Sequence, residues 1–108
     1  MTDLLSKHCR PCEGGAAAMD AAEAERLLAE LDGWTIVDGH HLTKTFPFAN
    51  FVDALAYVNR LGEVAEDEGH HPNISFTWGR VSLEIYTHDA GGLTENDFIL
   101  AAKADRAL

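Results

Sequence analysis

From Asn50 to Pro72 the chain reads "NFVDALAYVNRLGEVAEDEGHHP", and this stretch constrains the fold more than any other. Phe51, Ala54, Leu55, Val58, Leu61 and Ala65 recur at intervals of three or four, which places them on one stripe of an amphipathic helix. Asn50 supplies an N-cap, with Asp53 at the capping-box position. Gly69 supplies the stop and Pro72 forbids continuation. A helix with one apolar stripe has to bury it against other elements, and the flanking sequence shows which.

Before this helix, "WTIVDGHHLTKTFPF" reads as a hairpin. Trp34 and Ile36 alternate on one strand, Asp38-Gly39 is a type I′ turn signal, and Leu42, Phe46 and Phe48 alternate on the return, interrupted by Lys44. Pro47 marks an edge or a strand end. After the helix, Ile74, Phe76 and Trp78 alternate, Gly79-Arg80 turns the chain, and Val81, Leu83 and Ile85 alternate back. Trp78 and Phe76 are expected in the core. The other face of that last strand carries Ser82, Glu84, Tyr86 and His88, so one sheet face packs on helices while the other meets water or a ligand. Asp20 followed by Glu23 opens a first helix bearing Ala24, Leu27, Leu28 and Leu31, which Gly33 closes. Thr94 and Asp97 form the capping pair of a third helix, with Phe98 stapled onto Leu93. The order is α-β-β-α-β-β-α. It predicts an α+β domain, a four-stranded antiparallel sheet backed by three helices on one face.

A chain of 108 residues is one domain by length, with residues 1–18 expected as a mobile tail and 19–108 as the folded part. Eighteen acidic residues against eight basic ones give a net charge of −10, which repels phosphate backbones and argues against nucleic acid and anionic membrane as partners. No apolar run reaches the length of a membrane span, and "MTDLLSKHCRPCEGG" lacks the apolar stretch of a secretory signal, so a cytoplasmic location is expected. Cys9 and Cys12 form a Cys-x-x-Cys in a Gly/Ala-rich leader with no strand before it. That setting favours an inert or loosely disulfide-forming tail over a redox pair. With only His8 nearby as a third ligand, it also falls short of the four that structural zinc takes.

The residues able to carry chemistry gather after Gly69. Glu66 and His70 are four apart on this helix, so they share a face and can touch. That carboxylate and the negative end of the helix dipole both favour imidazolium, which suits His70 to give up a proton near neutrality. His71 follows where the helix has ended, and His88 lies at the end of a strand beside a "DAGG" loop flexible enough to admit a ligand. The same three imidazoles and Glu66 contain a His₂Glu zinc set, although adjacent histidines rarely aim at one ion and the HExxH spacing is missing. Plain favourable cations at a helix end are the other reading. Asp97 reads as a structural cap, while His8, His40 and His41 read as solvated.

Taken together, Glu66-x-x-x-His70-His71-Pro72, Trp78, Thr87-His88 and Gly92-Leu93-Thr94-x-x-Asp97 resemble the pterin-4α-carbinolamine dehydratase family over residues 20–108. The resemblance implies the α-β-β-α-β-β-α fold and dehydration of 4a-hydroxytetrahydrobiopterin to quinonoid dihydropterin, with no metal or redox cofactor. It implies catalysis by His70, His71, His88 and Glu66. Substrate contacts would come from Gly69, His70, His71 and Pro72 and from Tyr86, Thr87, His88 and Asp89. It further implies dimers or tetramers, and a place beside an aromatic amino-acid hydroxylase in pterin recycling. Vertebrate members also partner a homeodomain transcription factor, so a protein-interaction module is the alternative. Ile74 stands where mammalian members carry a larger aromatic, which implies a differently shaped pocket.

Overall fold

The computed structural model describes residues 4–7 and 18–108. Helix α1 (Ala21–Leu28) leads into strands β1 (Thr35–Val37) and β2 (His41–Pro47). Helix α2 (Phe51–Glu68) follows, then β3 (Asn73–Thr77), β4 (Arg80–Ile85) and helix α3 (Glu95–Arg106). Short 3₁₀ turns lie at Leu4–Ser6 and His88–Ala90. The α+β architecture is therefore the one the alternation patterns require.

The caps act where the sequence places them. The Asp20 side chain accepts from the Glu23 N–H at 2.9 Å, and that of Asn50 from the Asp53 N–H at 2.8 Å. Helix α1 nonetheless ends at Leu28, before Gly33, because residues 29–31 tighten into turns that donate to Leu27 and Leu28 carbonyls. Gly33, at φ +82°, instead redirects the chain toward β1. The Asp38-Gly39 pair closes the first hairpin with φ +53° and +63°, the two left-handed conformations a type I′ turn needs.

Strand order is β1-β2-β4-β3, with every neighbouring pair antiparallel. In this register Leu42 faces Ile85, Phe46 faces Val81 and Ile74 faces Leu83, so one face of the sheet is apolar and meets the helices. Leu42, Phe46, Val81, Leu83 and Ile85 are buried there with Ala54, Tyr57 and Leu61 of α2 and Phe98, Ile99 and Leu100 of α3. Each large apolar side chain so buried contributes about 1.5–3 kcal/mol. Lys44, which interrupts the alternation of β2, lies on this face too. Its Nζ reaches Asp105 Oδ1 at 2.8 Å and the Asp32 carbonyl at 2.7 Å while lying over the rings of Phe46 and Trp34, 4.9 and 5.8 Å from their centroids.

Three expectations are corrected. Phe51 and Leu55 of the supposed buried stripe are exposed, and Tyr57 takes the core position instead. Trp78 is 69% exposed in the β3–β4 turn and Phe76 only half-buried, stacked on Phe51 at 5.5 Å; β3 is an edge strand that α2 covers incompletely. Within the tail expected to be mobile, Leu4 is buried in the core cluster and Lys7 pairs with Glu95 at 3.0 Å, which anchors residues 4–7 on α3. The Cys9 and Cys12 readings, and that of His8, lie outside the described residues.

Candidate active site

The register decides which loops meet. Leu42 opposite Ile85 and Asn73 opposite Glu84 bring the β1–β2 turn, the exit of α2 and the exit of β4 to one end of the sheet. His40, His41, His70, His71 and His88 all stand at that end.

Gly69 ends α2 in the left-handed conformation, φ +66°, and the His70 N–H donates back to the Ala65 carbonyl at 3.1 Å. Past such a stop the chain leaves the helical direction, so the spacing rule that pairs residues four apart no longer holds. His70 accordingly does not meet Glu66. Its Nε2 lies 2.6 Å from Oδ1 of Asp97, whose side chain is fully buried; that of His70 is 13% exposed. Glu66, 82% exposed, reaches His71 Nε2 instead, at 3.4 Å.

Asp97 gathers donors. The Thr94 N–H donates to its Oδ2 at 2.8 Å, and the Thr87 hydroxyl lies 3.1 and 3.0 Å from its two oxygens. Thr87 Oγ1 is also 2.9 Å from Thr94 Oγ1. Since Thr87 has one hydroxyl proton and spends it on Asp97, Thr94 donates to Thr87. The capping role expected for Asp97 is thus half of what it does. The same carboxylate caps α3 and holds His70. Among the described residues no buried side-chain nitrogen or oxygen is left without a partner.

The network assigns protons. An ionised carboxylate only accepts, so the proton between Asp97 and His70 belongs to Nε2, and Nδ1 is the nitrogen left to exchange with a bound molecule. A histidine fixed this way serves as general acid when charged and as general base when neutral.

The remaining site candidates surround this pair on different terms. Gly69 and His71 are exposed and Pro72 half-buried. Thr87, 3% exposed, belongs to the Asp97 network and is closed to a ligand. His88 is exposed, its ring 4.4 Å from that of half-buried Tyr86. The loop after it, expected to be flexible, is closed by hydrogen bonds: the Thr87 carbonyl accepts from Ala90, Gly91 and Gly92 at 3.0–3.4 Å, and Thr87 N–H donates to Gly92 at 2.9 Å. Asp89 lies within that 3₁₀ turn.

His40 and His41 were expected in solvent and are half-buried. The His40 ring sits 4.6 Å from Tyr86, its Nδ1 is 3.2 Å from that of His41, and His41 Nε2 is 3.7 Å from Glu84. The type I′ turn was the available signal for this, since it fixes the register that sets His41 one step from Leu42 and its partner Ile85. Among the described residues no three His, Cys, Asp or Glu side chains cluster so as to hold a metal ion. A groove of about 660 Å³ lined by Leu5, Arg60, Val64, Asp67, Lys103 and Arg106 lies along α2 and α3 and includes none of these histidines.

Known proteins resemble this chain in sequence and in fold. The family profile described as pterin 4 alpha carbinolamine dehydratase matches residues 17–107. A Rubrobacter xylanophilus protein with the provisional name pterin-4-alpha-carbinolamine dehydratase is 51% identical over 106 residues, covering 98% of this chain and 99% of its own. One from Rickettsia canadensis with the same provisional name is 49% identical, covering 97% of each chain. Among solved structures, a transcriptional coactivator/pterin dehydratase from Brucella melitensis superposes with a TM-score of 0.79 at 32% identity, over 83% of this chain and 97% of its own. A pterin dehydratase-like protein described as a RuBisCO assembly factor in the alpha-carboxysome gives 0.60 at 25% identity, over 69% and 88%. By the profile, by these relatives and by the fold, the chain belongs to the pterin-4-alpha-carbinolamine dehydratase family.

Proposed function

We propose that this protein dehydrates 4a-hydroxytetrahydrobiopterin to quinonoid dihydropterin and water, in pterin recycling beside an aromatic amino-acid hydroxylase. The observation that carries this reading is His70 Nε2 held at 2.6 Å by the buried carboxylate of Asp97. Charged His70 gives its Nδ1 proton to the departing C4a hydroxyl as the C–O bond breaks. A ring N–H of the pterin gives its proton to His88 or to His71. One proton enters, one leaves, and the net loss is one water. Each such transfer contributes about 10²–10⁴-fold. The backbone at Gly69–Pro72 and at Tyr86, His88 and Asp89 supplies hydrogen bonds to the pterin's amide edge, Thr87 being taken up by its own loop. Glu66 acts through His71, the imidazole it touches.

No described helix is long and apolar enough to cross a membrane, and we place the protein in the cytoplasm. We also propose that it self-associates into dimers or tetramers, with the uncovered edge of β3 available to pair with a second copy.

Stopped-flow decay of enzymatically generated carbinolamine, near neutral pH, tests the proposal. Wild-type protein accelerates it, and His70→Ala lowers kcat severalfold to about a hundredfold while remaining folded. Wild-type protein without effect on the decay contradicts the enzymatic reading; wild-type turnover by His70→Ala removes His70 from it.

A second reading is a protein-interaction module that regulates a partner. Exposed Phe51, Val52, Leu55 and Trp78 favour it. A stable complex formed equally by His70→Ala, with no catalysis by either form, would establish it.

A further inference from the structure

We infer that His40, on the first hairpin, is a positioning residue for His88, acting through the ring of Tyr86. The inference rests on the proposed dehydration with His88, of the two candidates, as the group that takes the ring proton.

Among the described residues, the His88 ring packs against Tyr86, at 4.4 Å and 47°. The His88 ring makes no hydrogen bond or ion pair among the described residues, and the Tyr86 hydroxyl makes none. Where no polar contact fixes a ring, the neighbouring rings decide its rotamer. The other ring against Tyr86 among the described residues is that of His40, at 4.6 Å and 41°. His40 in turn is fixed on both sides. Its backbone N–H donates to the Val37 carbonyl at 2.9 Å across the type I′ turn, and its Nδ1 lies 3.2 Å from Nδ1 of His41. His41 is steadied by Glu84, whose Oε1 lies 3.4 Å from Asn73 Nδ2. Tyr86 is thus held between a ring anchored to the hairpin and a ring free to meet a ligand. His40 acts at one remove: it sets where Tyr86 lies, and Tyr86 sets where His88 points.

The test uses the full chain, with kcat and KM for carbinolamine dehydration and the ring proton resonances of His88 as two independent readouts. Contacts between ring pairs are worth a factor of about 2 to 10 in an equilibrium, so His40→Ala lowers kcat about fivefold. KM stays within about twofold, because a misplaced proton acceptor weakens the transition state more than the ground state. The His88 resonances move as the Tyr86 ring current shifts. His40→Phe, which keeps a ring and loses the Nδ1 contact, brings kcat back to within about twofold of wild type and returns the His88 resonances toward their wild-type positions. Should His40→Ala not fold, His41→Ala removes the anchor alone and lowers kcat about twofold.

An unchanged kcat with unmoved His88 signals overturns the inference, as does a His40→Phe variant that behaves like His40→Ala. If wild-type protein does not dehydrate the carbinolamine, the dehydration reading fails, and the resonances alone then decide whether His40 governs His88.

Discussion

The two sides of the sheet hold histidines in opposite ways. On the helix side, His70 is clamped by a buried carboxylate that also receives Thr87 and Thr94, so both the ring and its protons are fixed. On the outer side, His88, Tyr86 and His40 are held by ring contacts, with hydrogen bonds at His40 to Val37 and His41 as the anchor. A proton donor needs its tautomer decided in advance, which costs burial and partners. The difference separates an inner histidine fixed by hydrogen bonds from an outer one placed by ring packing, at one end of one sheet.

That contrast breaks most visibly at Asp97. Replacing it with Ala strips the cap from α3 and leaves His70 and Thr87 without their acceptor. The account predicts a loss of about 3 kcal/mol, read by urea unfolding. Stability within 0.5 kcal/mol of wild type, a level of about surface-substitution size, would show that the inner network is not structural.

Alkaline titration sharpens the inner side further. Burial, followed by the charge of Asp105, pushes the Tyr57 hydroxyl above the ordinary tyrosine range, and that hydroxyl donates to the Ala104 carbonyl at 2.8 Å. A phenol whose folded pKa is raised binds its proton more tightly folded than unfolded. Its contribution is therefore complete below the unfolded value of about 10 and is lost as pH rises beyond it. Tyr57→Phe should cost about 1 kcal/mol at neutral pH and flatten the decline above pH 10, about where tyrosine ionises. Parallel unfolding curves for the two proteins between pH 9 and 11, a window about the tyrosine pKa, would refute this.

The outer side should respond more gently. Gly39→Ala forces a Cβ into φ +63°, where no neighbour crowds it, so the strain of the backbone is the whole effect, about 1 kcal/mol. Thermal unfolding measures it. Glu66→Ala is expected to change least. Its pair with His71 is exposed on both sides, so stability moves by less than about 0.5 kcal/mol. A large loss of stability in that variant would mean the exposed pair carries weight assigned here to Asp97.

Much of this was legible in the chain because its signals are local. Asp38-Gly39, Asn50 with Asp53, Gly69 before His-His-Pro, and Thr94 with Asp97 each fix their own turn or cap within a few residues. What was illegible depends on direction after a stop. The spacing of Glu66 and His70 pairs them only if the helix continues, and the left-handed Gly69 turns His70 onto α3 instead. Tyr57 was hidden because a polar-tipped ring in an apolar stripe gives no sign that its hydroxyl has a carbonyl waiting across α3. Trp78 was misplaced for the converse reason: strand alternation continues past the last paired residue, while burial does not.

The most direct test is a double-mutant cycle on kcat for carbinolamine dehydration, with His70→Ala, Asp97→Asn and both together. If His70 works through the proton arrangement that Asp97 imposes, the double variant is no slower than the slower single one, since one broken pair cannot be broken twice. Rate losses that multiply would mean the two residues act independently, and the pair at the centre of this account would not be the catalytic unit.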